Sequence, residues 1–147
     1  NYRNAITDLS KAIEINPIYI HYEKRIYAYL FKGDIKKASR DIKIIEDLNP
    51  KDNSFQENYF YELKGHFEFA NKNFDESKNY LLKALSYDPN KYSVLRSISY
   101  VEYQKGNKKQ ACDFFEKSKN IAAKESIKDI WSQDFFGKEI NLNELCS

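Results

Sequence analysis

The side chains of this sequence that could do chemistry are two histidines, two cysteines and a dense scatter of carboxylates. A helical metal site needs two histidines one turn apart, so that both reach one ion, and a dithiol or zinc centre needs Cys-x-x-Cys. His21 and His66 fall in different segments, and Cys112 and Cys146 are far apart in sequence. The cysteines therefore read as neither a metal-ligand pair nor a redox pair. The default is a reducing compartment, or one where they stay buried; pairing requires the tail to fold back, which the sequence leaves open. No Gly-x-Ser-x-Gly elbow and no glycine-rich phosphate loop occurs. The carboxylates mostly accompany lysines, as in Asp41/Lys43 and Glu116/Lys119, which is the pattern of solvated surface charge rather than of acid–base pairs. No catalytic, cofactor-binding or metal-ligating residue is expected, and the chain reads as a non-enzyme.

Charge and composition narrow the remaining classes. The 24 basic and 22 acidic residues leave a net charge of +2, a weak pull toward nucleic acid or anionic membrane. Lys36, Lys37, Arg40 and Lys43, with Lys105, Lys108 and Lys109, keep a single-stranded nucleic-acid surface as an alternative, because aromatics interleaved with lysine can stack on bases. No apolar run is long enough to span a membrane. The chain has no initiating Met and starts inside a helical pattern, so it reads as an excised piece, and a missing leader says nothing about the parent; the location is cytoplasmic by default.

The elements that position these residues are helices. Only 4 Gly and 3 Pro occur among 147 residues, which favours long helices over many strands and turns. Three apolar-periodic stretches end alike, at Asn16-Pro17, Asn49-Pro50 and Asp88-Pro89. Proline cannot continue a helix and pushes the residue before it out of helical geometry. About twelve positions before each proline stands a small residue, Ala5, Ala38 or Ser77, and Ala111 opens a fourth copy that lacks the proline. Gly33-Asp34, Lys72-Asn73 and Gly106-Asn107 mark tight turns in matching places, with Asn73 as the residue tolerant of left-handed geometry in the middle one. Each unit is helix, turn, helix, stop. Helices are expected over 2–16, 19–32, 35–48, 55–71, 74–87, 91–105 and 108–121. A further amphipathic helix over 124–136 would present Ile127, Ile130, Trp131 and Phe135 on one side, and the tail from 137 is irregular or weakly helical.

This pattern resembles the tetratricopeptide repeat over most of the chain. Ala5, Ala38, Ser77 and Ala111, then Ala12, Ile45, Ala84 and Ser118, stand at its two packing sites in the second helix, with Leu9, Ile42, Leu81 and Phe115 as large partners and Gly65 as the small residue of a first helix. Ile26 departs from that last site, and Ile45 is bulky for its own. The resemblance implies an all-α fold, an α-α superhelix in the form of a right-handed solenoid of helix pairs with a C-terminal capping helix. The divisions are 1–17 (second helix of a truncated repeat), 18–50, 51–89 with a short insertion, 90–122, 123–136 (cap) and 137–147 (tail). Ala111-Cys112-Asp113 and the terminal Cys146 resemble a variant found in bacterial members.

The resemblance further implies a non-catalytic scaffold that binds a peptide or helix in a concave groove lined by first helices. Repeat register places Glu23, Tyr27, Phe31, Glu62, His66, Phe69, Arg96, Tyr100 and Tyr103 in that groove, with Ile20, Leu30, Tyr59, Ala70, Ser93 and Gln104 beside them. The partner is an unknown protein or peptide. Two acids and a single base, Arg96, disfavour a carboxylate-clamping groove and favour a neutral or mildly basic helical guest. Self-association through the apolar edge of residues 5–13 is a further alternative.

Overall fold

The computed structural model describes residues 1–48, 55–125 and 141–147. The helices are α1 (Tyr2–Ile15), α2 (Tyr19–Lys32), α3 (Ile35–Leu48), α4 (Glu57–Ala70), α5 (Phe74–Tyr87), α6 (Tyr92–Gln104), α7 (Lys108–Lys124) and the short α8 (Leu142–Leu145). Asn49-Pro50 lies outside the described residues; the other two proline stops act as their chemistry requires. Asn16 (φ −145°, ψ 95°) and Asp88 (φ −145°, ψ 96°) leave α1 and α5 in extended geometry immediately before Pro17 and Pro89. The turns between paired helices use a left-handed residue, at Gly33 and Gly106 (both φ 79°) and at Lys72 (φ 63°). The middle turn corrects the expectation for Asn73, which sits at φ −88° as the N-cap of α5. Lys72 takes the position that glycine fills in the other two turns, and its Cβ makes that conformation costly.

Consecutive helices pack on one another from α1 to α7, and α4 also touches α2 and α6 directly. The first helix of each pair therefore lies in one layer and the second in the other. Stacked pairs bury what a single pair would leave exposed. The small residues sit where the layers cross: Ala38, Ser77 and Ala111 are fully buried, with Ile42, Leu81 and Phe115 packed beside them. Ser77 Oγ donates to the Gly65 carbonyl at 2.7 Å, and a Cβ on Gly65 would stand 2.6 Å from Leu81 Cγ. The α4–α5 crossing thus requires glycine by contact rather than by backbone angle. Ala5 departs from its counterparts, because it is exposed on α1.

Helix α7 runs to Lys124, beyond the expected end at 121. The expected capping helix over 124–136 lies, from 126 onward, outside the described residues. The tail carries the four-residue α8 and returns to α7, where Cys112 and Cys146 form a disulfide with their Cα atoms 5.3 Å apart. The tail does fold back, and the pairing that the sequence leaves open is made. Sequence distance carries no signal for a pair made by a chain reversal.

Candidate functional site

The face shared by α2, α4 and α6 gathers most of the residues singled out by repeat register. Tyr27 on α2 hydrogen-bonds His66 Nδ1 on α4 at 2.9 Å, and His66 Nε2 meets Ser97 Oγ on α6 at 3.0 Å. Ser97 Oγ also donates to the Ser93 carbonyl at 3.0 Å. One proton arrangement satisfies all of these contacts: Tyr27 donates to Nδ1, Nε2–H donates to Ser97, and Ser97 passes its own proton to Ser93. The imidazole is then neutral. Burial pushes the His66 pKa down to about 4, outweighing the opposite pull of Glu62. The His66–Ser97 spacing is that of a base beside a nucleophile, but the serine proton is directed at a carbonyl and not at the imidazole. The arrangement ties three helices together and does not activate the hydroxyl.

A second polar group lies along the same face. Lys91 Nζ reaches Glu62 at 2.6 Å, Ser93 Oγ donates to the same carboxylate at 3.3 Å, and Tyr19 donates to Glu23 at 3.4 Å. Burial raises the Glu23 pKa; the Tyr19 hydroxyl draws it down and the Glu62 charge adds to the rise. Lys91 also lies 4.1 Å from the centre of the Tyr59 ring. The expectation that Arg96 is the only base on this face is thereby corrected. Lys91, at the N-cap of α6, turns inward because Glu62 stands across from it.

The aromatic residues divide by surroundings. Phe31 stacks on Tyr2 of α1 with ring centres 5.2 Å apart. Phe69 meets Phe74 edge-on at 5.5 Å. Arg96 is buried, its guanidinium 5.0 Å from the centre of the Phe115 ring. Tyr100 is buried in a cluster with Phe115 and Leu142, against which Phe69, Leu145 and Cys146 pack. Tyr103 and Tyr59 remain exposed at 36% and 43%, and Gln104 is exposed beside Tyr103. Repeat register missed Ser97, Lys91 and Tyr19. Ser97 lies one helical turn after Ser93, a spacing that could have flagged it.

One charge assignment changes. Asp41, read as a solvated partner of Lys43, is 4% exposed. Both of its oxygens accept from Arg25, each at 2.7 Å, a fork-to-fork pair between α2 and α3. Glu116/Lys119 is a surface pair at 3.2 Å, as expected. Of the lysines that suggested nucleic acid, Lys105 pairs with Asp75 at 2.6 Å and Lys109 with Asp113 at 2.8 Å. Those contacts reduce the charge available to phosphates.

The tail closes the C-terminal end of this face. Leu142 is 1% exposed, while Leu145 and Cys146 are half-buried. Burying one leucine contributes about 2–3 kcal/mol. Fixing the backbone of residues 141–147 costs on the order of 1 kcal/mol or more for each. Closing the 34-residue loop through the disulfide supplies roughly 4 kcal/mol in the chain-entropy account.

Residues 59–91, which hold α4, α5 and the turn between them, match the family model of the tetratricopeptide repeat. The α4–α5 helix pair thus carries the sequence signature of one tetratricopeptide repeat. Its fold is similar to the solved structure of the "MamA RS-1 ArsTM double mutant", with a TM-score of 0.63 at 17% identity, over 86% of this chain and 69% of that one. No curated protein matches the chain. The architecture is that of a helical-repeat solenoid, a fold of protein-interaction scaffolds in general. No helix among the described residues is long and apolar enough to cross a membrane.

Proposed function

We propose that this chain is a non-catalytic scaffold whose α2/α4/α6 face is a concave groove for a helical segment of another protein, one that carries a basic side chain. The observation that carries this reading is the pairing of Glu23 and Glu62 on one face, with the exposed Tyr59 ring beside Lys91, the counterion of Glu62. Glu62 already has Lys91 as counterion, whereas Glu23 has a tyrosine hydroxyl and a raised pKa. A guest lysine or arginine beside Glu23 would oppose that rise and add an ion pair. Tyrosine on the rim supplies contact area at low entropic cost. The fixed proton arrangement of Tyr27, His66 and Ser97 makes this face a rigid floor rather than a reaction centre.

The test is selection of helical peptides from a display library on the immobilised chain. Wild type is compared with Glu23→Gln and with Tyr59→Ala, each checked for unchanged helicity. Peptides with a fixed basic position, losing about ten-fold in affinity against Glu23→Gln, support the reading. Selected sequences that bind all three proteins equally place the binding surface elsewhere. Tyr100→Ala is a poor probe, because Tyr100 is part of the buried core at the tail.

A further inference from the structure

The outward side of α3 carries a charge that the fold does not balance. Lys36, Arg40 and Lys43 are exposed and stand at i, i+4 and i+7, so they form one stripe about 10 Å long. The buried residues of α3, Ala38, Asp41, Ile42 and Ile45, lie on the opposite side of the helix, and the stripe points away from α2. The acids that could neutralise it are engaged elsewhere: Asp34 with Lys37 at 3.4 Å, Asp41 with Arg25 at 2.7 Å and Glu46 with Lys64 at 2.7 Å. Asp47, one turn past Lys43, is the remaining acid of the helix. Among the described residues Lys36, Arg40 and Lys43 make no ion pair. Helix α7 treats its outward bases differently, pairing Lys109 with Asp113 and Lys119 with Glu116 along its own surface. Helix chemistry also opposes the placement of the bases on α3. Lys36 and Lys37 sit in its first turn, which holds no acid, where the helix dipole is positive and a cation is disfavoured. The same turn of α5 holds Asp75 and Glu76. Cations that work against their own helix and stay unpaired mark a surface used for something other than folding. Beside the stripe, one turn from Arg40, Ile44 is 39% exposed.

We propose that the Lys36/Arg40/Lys43 side of α3 docks an acidic helical segment of another protein, with carboxylates at i, i+4 and i+7 and an apolar side chain against Ile44. Two helices share one rise per residue, so the three pairs form in register. The guest carboxylates also meet the positive end of α3. A single-stranded nucleic acid needs exposed rings on which its bases stack. The Tyr29 ring, 5.8 Å from Lys37 Nζ, is buried, and the stripe presents the aliphatic Ile44 instead. Exposed ion pairs are individually weak, so the affinity comes from several pairs made together and falls with salt. This surface lies on the other layer from the groove and takes a guest of opposite charge, so it stands independently of the groove reading.

The test is a titration of the full, isotope-labelled chain with a synthetic alanine-based helical peptide. The peptide carries glutamates at i, i+4 and i+7, with leucines at i+3 and i+8 on either side of them. A control peptide has glutamine for each glutamate, and a short oligothymidylate is the nucleic-acid probe. The amide resonances of Lys36, Arg40, Lys43 and Ile44 are followed. The expected result is a shift of all four with the glutamate peptide and none with the glutamine peptide. A Lys36→Gln/Arg40→Gln/Lys43→Gln variant is expected to lose about ten-fold in affinity, and Ile44→Ala about three-fold. The triple variant breaks no ion pair and removes a cation from the first turn of α3, so its unfolding midpoint equals or exceeds that of wild type. Lost binding is then not lost folding. Unchanged affinity in the triple variant, no shift with the glutamate peptide, or shifts equally large at the lysines of α7 overturn the proposal. Larger α3 shifts with the oligothymidylate also overturn it and assign the stripe to nucleic acid. Glu23→Gln leaves the affinity for the acidic peptide unchanged, so the failure of either surface is recognised separately from that of the other.

Discussion

Helices α1 and α6 show how far neighbours, rather than composition, decide burial. Helix α6 buries every residue from Val94 to Glu102, while α1 buries none. Both are amphipathic, yet α6 is packed by α4, α5 and α7, and α1 by α2 alone among the described helices. A helix enclosed on all sides must then find partners for its polar residues as well as its apolar ones. Ser99 Oγ donates to the Arg96 carbonyl at 2.6 Å, and Ser97 takes part in the histidine relay. Burial pushes the Glu102 pKa up, but Lys78 and Asn107 more than offset it and hold the carboxyl below the usual range. On the more open α1, Ser10 bonds its own helix and accepts from Arg25.

The largest test of this contrast is a matched pair of truncations. Ile98→Ala in α6 is expected to cost about 4 kcal/mol of unfolding free energy. Ile13→Ala in α1, half-buried at the edge of the first core cluster, is expected to cost about 1 kcal/mol. Denaturant midpoints measure both, and equal losses would break the comparison.

The relay between α4 and α6 sharpens it through pH. Above about pH 6.5 the imidazole is neutral in both the folded and unfolded chains. Below that, the unfolded chain binds a proton that buried His66, with its pKa pushed down to about 4, refuses. Stability therefore falls as pH drops from 6.5 toward 4, by up to about 3 kcal/mol. In His66→Gln this contribution is absent, so the same pH series should be flatter; an unchanged slope would mean that other groups carry the acid sensitivity.

Gly65→Ala tests the tightness of the middle pair. The new methyl meets Leu81, itself fully buried, and an overpacking cost of about 2 kcal/mol is expected from thermal unfolding. The smallest effect runs the other way. Lys72→Gly removes a side chain from left-handed geometry and should stabilise by about 1 kcal/mol. No gain in midpoint would show that the lysine is held there without strain.

The fold was legible where local rules act. Pro17 and Pro89 stop helices, Gly33 and Gly106 turn them, and small residues recur where the layers cross. The candidate site was legible only in part. Repeat register placed Tyr27 and His66 on neighbouring first helices, and the structure joins them by a hydrogen bond. It also set Tyr100 beside Tyr103 as equivalent groove aromatics, whereas one is buried at 4% and the other exposed at 36%. The tail separates them, and nothing in the spacing of Leu142 announces where it will land.

By itself, then, the sequence determined the helix ends, the pairing of helices and the repeating small-and-large packing sites, because each depends on residues within a turn or a repeat of one another. Only the tertiary structure decided that Asp41 is a buried partner of Arg25, that Ser97 completes the histidine relay, and that Cys146 returns to Cys112. Those contacts join residues whose separation along the chain leaves no local trace. Their geometry exists only after neighbouring helices have excluded water and fixed the few positions a side chain can reach.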